Sequence, residues 1–284
     1  MEPLDVLRAF RDSLYRCFER RADALFELGD ALLSAGVVSS PVHLSLQPSH
    51  RRGWGSLYAA LNRGRIDTAA LRKLLARHSL AVRDGPPVYA VDVSVWSRCD
   101  AESSPQRGYY YHPSRHSAGQ PIVAGWAYQF IARLDFVRES WTAPVDVLRL
   151  RPAEDTNTVA AEQVKALVGR LGREEANPLF VFDAGYDPVK LQQRLEGWSC
   201  QILVRLRSGR RFYADPLGPP AHTGRPRRHG PKMKCKEIRV LGRSPPPSTN
   251  ARTPATGRCA CAPGRSCTPK YACMRPAAAA DRCP

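Results

Sequence analysis

The chain has 284 residues and a formal net charge of +17 at neutral pH, which gives room for one large domain or two modest ones. No apolar run approaches the roughly 20 residues of a membrane span, and we expect neither a signal peptide nor a membrane partner. The positive charge is concentrated in residues 205–284, which carry 18 Lys and Arg against three acids, a net of +15. This balance favours nucleic acid as the partner of a cytoplasmic protein.

The first predicted element is an amphipathic helix over residues 4–33, which Gly36 ends. Its apolar residues recur at spacings of three, four and seven, the period of one helix face. They are Leu7, Phe10, Leu14, Phe18, Leu25, Leu28 and Leu32. We expect this face to pack on the rest of its domain, and a dimer interface is the alternative.

Residues 51–80 predict two short helices joined by Arg63-Gly64-Arg65, with Asp67 as the N-cap of the second. The segment is strongly basic, with one acid against Arg51, Arg52, Arg63, Arg65, Arg72, Lys73 and Arg77. A basic pair of helices is typical of helix-turn-helix DNA contact, in which Arg63 and Arg65 would bind DNA. A helical hairpin with a solvated basic face fits the pattern equally well.

From residue 88 to 205 the pattern changes to α/β. Strands are predicted at 88–93, 122–136, 145–150, 179–183 and 200–204, with a turn at 142–144 and helices beginning near Thr158 and at Asp187-Pro188. The order β-β-β-α-β-α-β predicts a mixed sheet with helices packed on it.

Two of these apolar strands carry an aspartate, Asp92 in the first and Asp183 at the end of the fourth. If the two strands are neighbours in one sheet, their carboxylates lie together and supply the oxygen ligands that Mg²⁺ prefers. Aspartate is also common at strand ends because it caps the following turn. The residues alone leave both interpretations open.

The loop from Trp96 to Gln120 mixes cations with aromatic side chains, namely Arg98, Arg107, Tyr109, Tyr110, Tyr111, Arg115 and His116. Such a mixture suits phosphate contact and base stacking near a cleaved DNA end. From this loop we predict Arg98, Arg107, Tyr110, Arg115 and His116 as DNA-binding residues. The alternative is an exposed loop whose tyrosines cover the edge of the sheet.

The end of the chain has a different composition. Residues 244–284 contain no Leu, Ile, Val, Phe or Trp, so we expect a disordered basic tail from residue 241 onward. Six of the nine cysteines lie from Cys235 onward at irregular gaps, which makes zinc binding a minor alternative. The predicted domains are a helical region at 1–84, a catalytic core at 85–240 and the tail at 241–284.

Two sequence blocks resemble the insertion-sequence DDE transposases. Residues 91–96 with 109–126 are similar to the first catalytic block of that family, and Val181-Phe182-Asp183-Ala184-Gly185-Tyr186-Asp187 is similar to the second. The resemblance covers about residues 1–235. It implies a ribonuclease H-like fold, DNA as partner, and Mg²⁺ or Mn²⁺ held by Asp92 and Asp183 as the first two acids of the catalytic triad. We expect a bacterial, nucleoid-associated protein, and the sequence leaves open whether it is a monomer or a homodimer.

The third acid of that family is a Glu on a downstream helix, within a Tyr-x₂-Arg-x₃-Glu-x₆-Lys pattern. Here Tyr271-Ala272-Cys273-Met274-Arg275 has the wrong spacing, and no Glu follows Glu237. We therefore predict a gene truncated by a frameshift near residues 235–243 and a catalytically incomplete remnant. The alternative function is that of a non-catalytic DNA-binding protein that represses related elements.

Overall fold

The structure is a computed structural model that describes residues 3–38, 40–78, 85–112, 121–134, 142–171, 177–214, 229–234 and 271–274. The chain divides into two compact units, Met1–Ser79 and Leu80–Pro284, called here the N-terminal and the C-terminal unit. Within the described ranges, no helix has the length and apolar character needed to cross a membrane.

Short helices dominate the N-terminal unit, with one small antiparallel strand pair between them. The elements are α1 (Pro3–Arg16), β1 (Phe18–Arg20), α2 (Ala22–Ser34), α3 (Pro41–Ser45), α4 (Trp54–Arg63), β2 (Arg65–Ile66) and α5 (Thr68–Arg77). Asp67 accepts hydrogen bonds from the backbone N–H groups of Ala69 and Ala70, which confirms it as the N-cap of α5. The two predicted helices of the basic segment are therefore α4 and α5.

The single helix predicted over residues 4–33 is wrong, because the chain turns between α1 and α2. Arg21 has a φ of 55°, in the left-handed region, and Phe18 pairs with Ile66 in the adjoining strand. Spacing could not reveal this break, because Phe18 follows Leu14 by four residues and so keeps the helical period. The phenyl ring of Phe18 instead packs edge-on against Phe26, with ring centroids 6.3 Å apart.

Strands dominate the C-terminal unit. Its elements are β3 (Val88–Ser97), β4 (Gly108–Tyr111), β5 (Ile122–Leu134), β6 (Thr142–Leu150), α6 (Thr156–Val168), β7 (Leu179–Phe182), α7 (Pro188–Arg194), β8 (Gln201–Arg205), β9 (Arg211–Tyr213), β10 (Lys232–Lys234) and β11 (Tyr271–Met274). Of the described strands, seven form one sheet, and β9 and β10 form a separate antiparallel pair.

The order of the large sheet is β11-β8-β7-β3-β5, and the far edge of β5 is shared by β4 and β6. Strand β3 runs antiparallel to β5 and parallel to β7, which in turn runs parallel to β8. A mixed sheet with this order and with helices packed on it is ribonuclease H-like, and the predicted fold class is confirmed.

Two details of the sheet differ from the pattern read in the sequence. Residues 142–144, predicted as a turn, begin β6, where Pro144 pairs with Ala132 and the register shifts next to it. Among the described strands β6 contacts only β5, and an edge strand tolerates a residue without an N–H group. Of the tail predicted to be disordered, the structure describes only β11, an ordered strand that pairs antiparallel with β8. The rest of that tail lies outside the described residues, and so do Arg115, His116 and Glu237.

The two faces of the sheet have different surroundings. On one face Tyr89, Val91 and Ile131 are buried, and Gln129 donates from Nε2 to Oε1 of Gln163 on α6 at 3.0 Å. The opposite face, called here the acid face, carries residues that are exposed or half-buried. It comprises Asp92, Ser94 and Trp96 of β3 with Trp126, Tyr128 and Phe130 of β5.

Candidate active site

The sheet brings Asp92 and Asp183 together. Strands β3 and β7 are parallel neighbours in which Val91 lies opposite Phe182. Asp92 and Asp183 are the next residues on each strand, so their carboxylates emerge side by side on the acid face, and both side chains are exposed. The two aspartate-bearing strands are thus adjacent, as the sequence predicts.

A tight turn after β7 orients Asp183. The backbone N–H of Gly185 donates to Oδ1 of Asp183 at 2.8 Å. A Cβ atom at position 185 would lie 2.9 Å from that oxygen, so a side chain there would push the carboxylate aside. The turn is also held from outside, because Nε of Arg207 donates to the carbonyl oxygen of Ala184 at 3.1 Å.

The far end of the turn is held by Asp187, which accepts hydrogen bonds from the backbone N–H groups of Val189 and Lys190 as N-cap of α7. This confirms the predicted helix start at Asp187-Pro188. Burial alone would raise the pKa of Asp187, but hydrogen bonds from Arg210 and from the helix backbone bring it below its usual value. Asp187 therefore stays ionised and connects the turn both to the start of α7 and to Arg210.

Tyr186, inside the same turn, is 5% exposed, and its ring packs edge-on against Phe182 with centroids 5.1 Å apart. Its hydroxyl is buried and has no hydrogen-bond partner among the described residues. Burial first, and then the charges of Asp92 and Asp183, raise the pKa of this phenol. A protonated donor therefore lies close to both carboxylates. The sequence contained the signal for this contact, a tyrosine three residues after the second acid, but we did not predict it as a site residue.

The two carboxylates suit a hard divalent cation. Oδ1 of Asp92 accepts from the backbone N–H of Val93 at 2.7 Å, and Oδ1 of Asp183 accepts from Gly185. Each Oδ2 atom has no hydrogen-bond partner in the part of the chain that the structure describes. Mg²⁺ is commonly held by one or two carboxylates together with water and substrate phosphate, so this pair of oxygens fits it.

The described residues do not supply a third acid at this position. Asp146 lies on the opposite face of the sheet, where it is buried and forms an ion pair with Arg170 at 3.1 Å. Asp155 caps α6 by accepting from Thr158. Across the described ranges, no group of three or more His, Cys, Asp or Glu side chains is placed to hold a metal ion.

The predicted DNA-binding residues of the 96–120 loop lie at different places. Arg98 packs over the ring of Trp96 at 5.4 Å, and Arg107 packs over the ring of Tyr109 at 5.6 Å. Trp96 belongs to the acid face, and Tyr109 lies beside it on β4. Tyr110 lies on the opposite face of β4, where burial raises the pKa of its phenol. The structure therefore brings Arg98 and Arg107 to the side of the acids, whereas Tyr110 lies on the opposite face of β4 with its phenol within the electrostatic influence of Arg149.

The predicted DNA-binding residues of the basic segment lie in the N-terminal unit. Arg63 is the last residue of α4 and is exposed. Arg65 belongs to β2 and forms an ion pair with Glu19 of β1 at 3.3 Å. Arg63 forms no salt bridge with the described residues of this unit, which leaves its charge accessible to a ligand.

Two aspartates on adjacent strands of a ribonuclease H-like sheet, one in the middle of β3 and one directly after β7, give the arrangement used by metal-dependent enzymes that cut and join phosphodiesters. Residues 13–260 match the family model of the DDE superfamily endonucleases, and the chain belongs to this family. Enzymes of the family act on DNA and generally use divalent metal ions. The match includes residues 235–243, where we predict the frameshift. Comparison with curated proteins gives no match.

Proposed function

We propose that the chain is a DDE transposase of an insertion sequence whose catalytic site is incomplete. The observation that carries the proposal is the register of β3 and β7, which sets Asp92 beside Asp183 in a member of an endonuclease family. The intact reaction would hydrolyse a phosphodiester at a transposon end and join the freed 3′-hydroxyl to target DNA.

In this proposal Asp92 and Asp183 would hold Mg²⁺ or Mn²⁺. Such an ion would supply activation of the attacking oxygen and stabilisation of the leaving oxygen. The turn over residues 183–187 keeps the carboxylate of Asp183 in place, since Gly185 holds its Oδ1 atom and Asp187 anchors the chain that follows. The described residues supply no third acid beside this pair, and this is the reason to expect little or no cleavage.

The test combines DNA binding with strand cleavage on a duplex that carries the element's own terminal sequence. We expect binding that falls steeply with salt, because Lys and Arg contacts release counterions from the phosphates, and little strand cleavage in Mg²⁺ or Mn²⁺. Robust Mg²⁺-dependent cleavage that Asp92→Asn abolishes would contradict the incomplete site. Asp12→Asn, an exposed acid of α1 with the same change of charge, is the matched control.

A second candidate is a non-catalytic DNA-binding protein that represses related elements. The exposed Arg63 at the end of α4, next to the capped start of α5 at Asp67, favours it. This function predicts sequence-specific binding that is unchanged in the double variant Asp92→Asn/Asp183→Asn. Loss of specific binding in that variant would contradict it.

Both functions place the protein on DNA, and we propose the nucleoid of the bacterial cytoplasm as its location. A transposase that joins two ends would act as a homodimer. Sedimentation of the protein with a terminal duplex tests this point, and a complex containing one chain and one duplex at all concentrations would contradict the dimer.

A further inference from the structure

A row of four side chains crosses the acid face away from the two aspartates. Trp96 and Trp126 are cross-strand partners on β3 and β5, with ring centroids 5.5 Å apart and planes inclined by 41°. The guanidinium of Arg98 lies over Trp96 at 5.4 Å, and that of Arg149 on β6 lies over Trp126 at 5.6 Å. These four residues are called here the tryptophan row.

The row continues onto β4. Tyr109 pairs with Ala124, two residues before Trp126, so its ring lies on the acid face as well. Trp96 is 52% exposed, and Tyr109 is 59% exposed. Aromatic rings of this size, clustered and in contact with water, mark a surface that binds a ligand.

Two of the nearby arginines, Arg107 and Arg149, form no ion pair among the described residues and can therefore bind an anion. Arg98 forms an ion pair with Asp100, with Nε 2.8 Å from Oδ1. Arg149 instead donates to the carbonyl oxygen of Gln106 at 3.2 Å, and Arg107 donates to the carbonyl oxygen of Ser104 at 3.1 Å. Among the described residues neither Arg107 nor Arg149 forms a salt bridge, so both can bind phosphate.

The tryptophan row is continuous with the candidate active site. Asp92 and Trp96 lie on the same face of β3, four residues apart, which is about 13 Å along an extended strand. Ser94 lies between them. A strand of nucleic acid that contacts the row therefore has its next phosphates within reach of the two aspartates.

We propose that the tryptophan row and Tyr109 form a binding site for unpaired nucleobases of a DNA end. The bases stack on Trp96 and Tyr109, and Arg107 and Arg149 bind the adjoining phosphates. Bases inside a duplex are already stacked and cannot present their faces, so the site selects unpaired nucleotides. The delivery of that strand to Asp92 rests on the proposed transposase function, whereas the stacking does not.

The experiment compares a blunt duplex with the same duplex bearing four unpaired nucleotides at one 3′ end, in EDTA so that no metal chemistry intervenes. A 2-aminopurine in the overhang reports stacking by loss of its fluorescence. We expect the overhang duplex to bind more tightly than the blunt one. Trp96→Leu should weaken overhang binding about 5- to 100-fold, the effect of losing one base-stacking contact, and leave blunt binding unchanged.

Three further variants control the result. Trp96→Phe keeps a stacking surface and should retain most of the overhang affinity. Trp198→Leu removes a tryptophan of similar exposure, 38%, outside the row and should change nothing. Arg149→Gln should lower overhang affinity and reduce the salt slope by about one, which tests the site independently of the fold of the Trp96 variant.

The outcomes separate the two proposals. If blunt and overhang duplexes bind equally well, or if Trp96→Leu and Arg149→Gln leave overhang affinity unchanged, the stacking site is wrong and the transposase function stands. If blunt duplexes of any sequence fail to bind while overhang binding depends on Trp96, the transposase function is wrong and the stacking site stands. Absence of binding to either probe overturns both.

Discussion

Both units contain ion pairs, among them Asp187 with Arg210 in the C-terminal unit, but the C-terminal unit also exposes two neighbouring acids that form none among the described residues. In the N-terminal unit Arg11 forms two hydrogen bonds with Asp30, at 2.7 and 2.8 Å, and Arg52 binds Asp23 at 3.0 Å. In the C-terminal unit Asp92 and Asp183 have no salt bridge among the described residues. Ion pairs within a surface stabilise the fold. Neighbouring charges of one sign that lack a partner instead indicate a site at which a ligand provides the opposite charge.

The cores of the two units also differ. The N-terminal cluster consists of Leu28, Ala31, Leu44 and Leu57, which are small or aliphatic. The C-terminal core contains fully buried aromatic side chains, of which Tyr89 and Phe180 stack at 5.3 Å across β3 and β7. Burial of larger side chains removes more apolar area from water. We therefore expect a larger hydrophobic contribution to the free energy of folding in the C-terminal unit, which offsets the repulsion between its unpaired charges.

The largest effect is expected from Phe180→Ala. The ring is fully buried and stacks on Tyr89, so its removal should lower the free energy of unfolding by about 4 kcal/mol. Leu57→Ala, at an equally buried position of the N-terminal unit, should cost about 3 kcal/mol. Urea unfolding of both variants measures the difference, and a smaller loss for Phe180→Ala would contradict the contrast between the cores.

The next largest effect is expected on metal binding by Asp92 and Asp183, the two acids without a salt bridge among the described residues. Asp183→Asn should weaken Mn²⁺ binding in the absence of DNA by at least about tenfold, since even residues that only support metal ligands cost this much. Asp30→Asn is the control, because its carboxylate is occupied by Arg11. Isothermal titration calorimetry distinguishes them, and equal Mn²⁺ affinity in the two variants would refute the assignment of Asp183 as a ligand.

A smaller effect is expected from the paired charges, and it depends on pH. Hydrogen bonds from Arg11 lower the pKa of Asp30, so the pair stabilises the fold above the ordinary aspartate pKa and loses this effect as the pH falls through the lowered value. Asp30→Asn should therefore cost about 1 kcal/mol at pH 7, because the pair is partly solvent-screened, and progressively less as the pH falls below the ordinary aspartate pKa. A series of urea unfolding curves from pH 7 downward checks this, and a loss that does not change with pH would show that the ion pair is not its origin.

The smallest effect has the opposite sign. The Tyr186 hydroxyl is buried without a partner among the described residues, so Tyr186→Phe should raise the free energy of unfolding by about 1 kcal/mol. Tyr15→Phe is the counterpart in the N-terminal unit, where the hydroxyl donates to Asp23 at 2.6 Å, and should be slightly destabilising. A thermal melt of each variant gives the sign; destabilisation by Tyr186→Phe would mean that a ligand or water satisfies this hydroxyl in solution.

Much of the sheet could be predicted, because buried strands appear in the sequence as short apolar runs. The start of α7 could be predicted as well, because Asp187-Pro188 is a typical N-cap followed by proline. The neighbouring positions of Asp92 and Asp183 could be expected only as one arrangement among several, since sequence does not state which strands pair. The sequence predicts base stacking and phosphate contact for the loop that contains Trp96, Arg98 and Tyr109, but it does not predict that Trp126 and Arg149 join them. Trp96 and Trp126 meet only through the register of β3 with β5, which the sequence does not specify. Strand β4 lies inside a stretch that is predicted as a loop, so the sequence could not assign Tyr109 to one face of the sheet.

The pairing of β3 with β7 has a consequence for how the molecule folds. It joins positions that are 91 residues apart in the sequence, such as Asp92 and Asp183, whereas the pairing of β3 with β5 starts 28 residues apart, at Ser97 and Gly125. Closing the longer loop costs more entropy, so we expect the antiparallel strands to join first and the parallel strand to follow. In that order the two aspartates would meet late, once β3 and β5 have already paired.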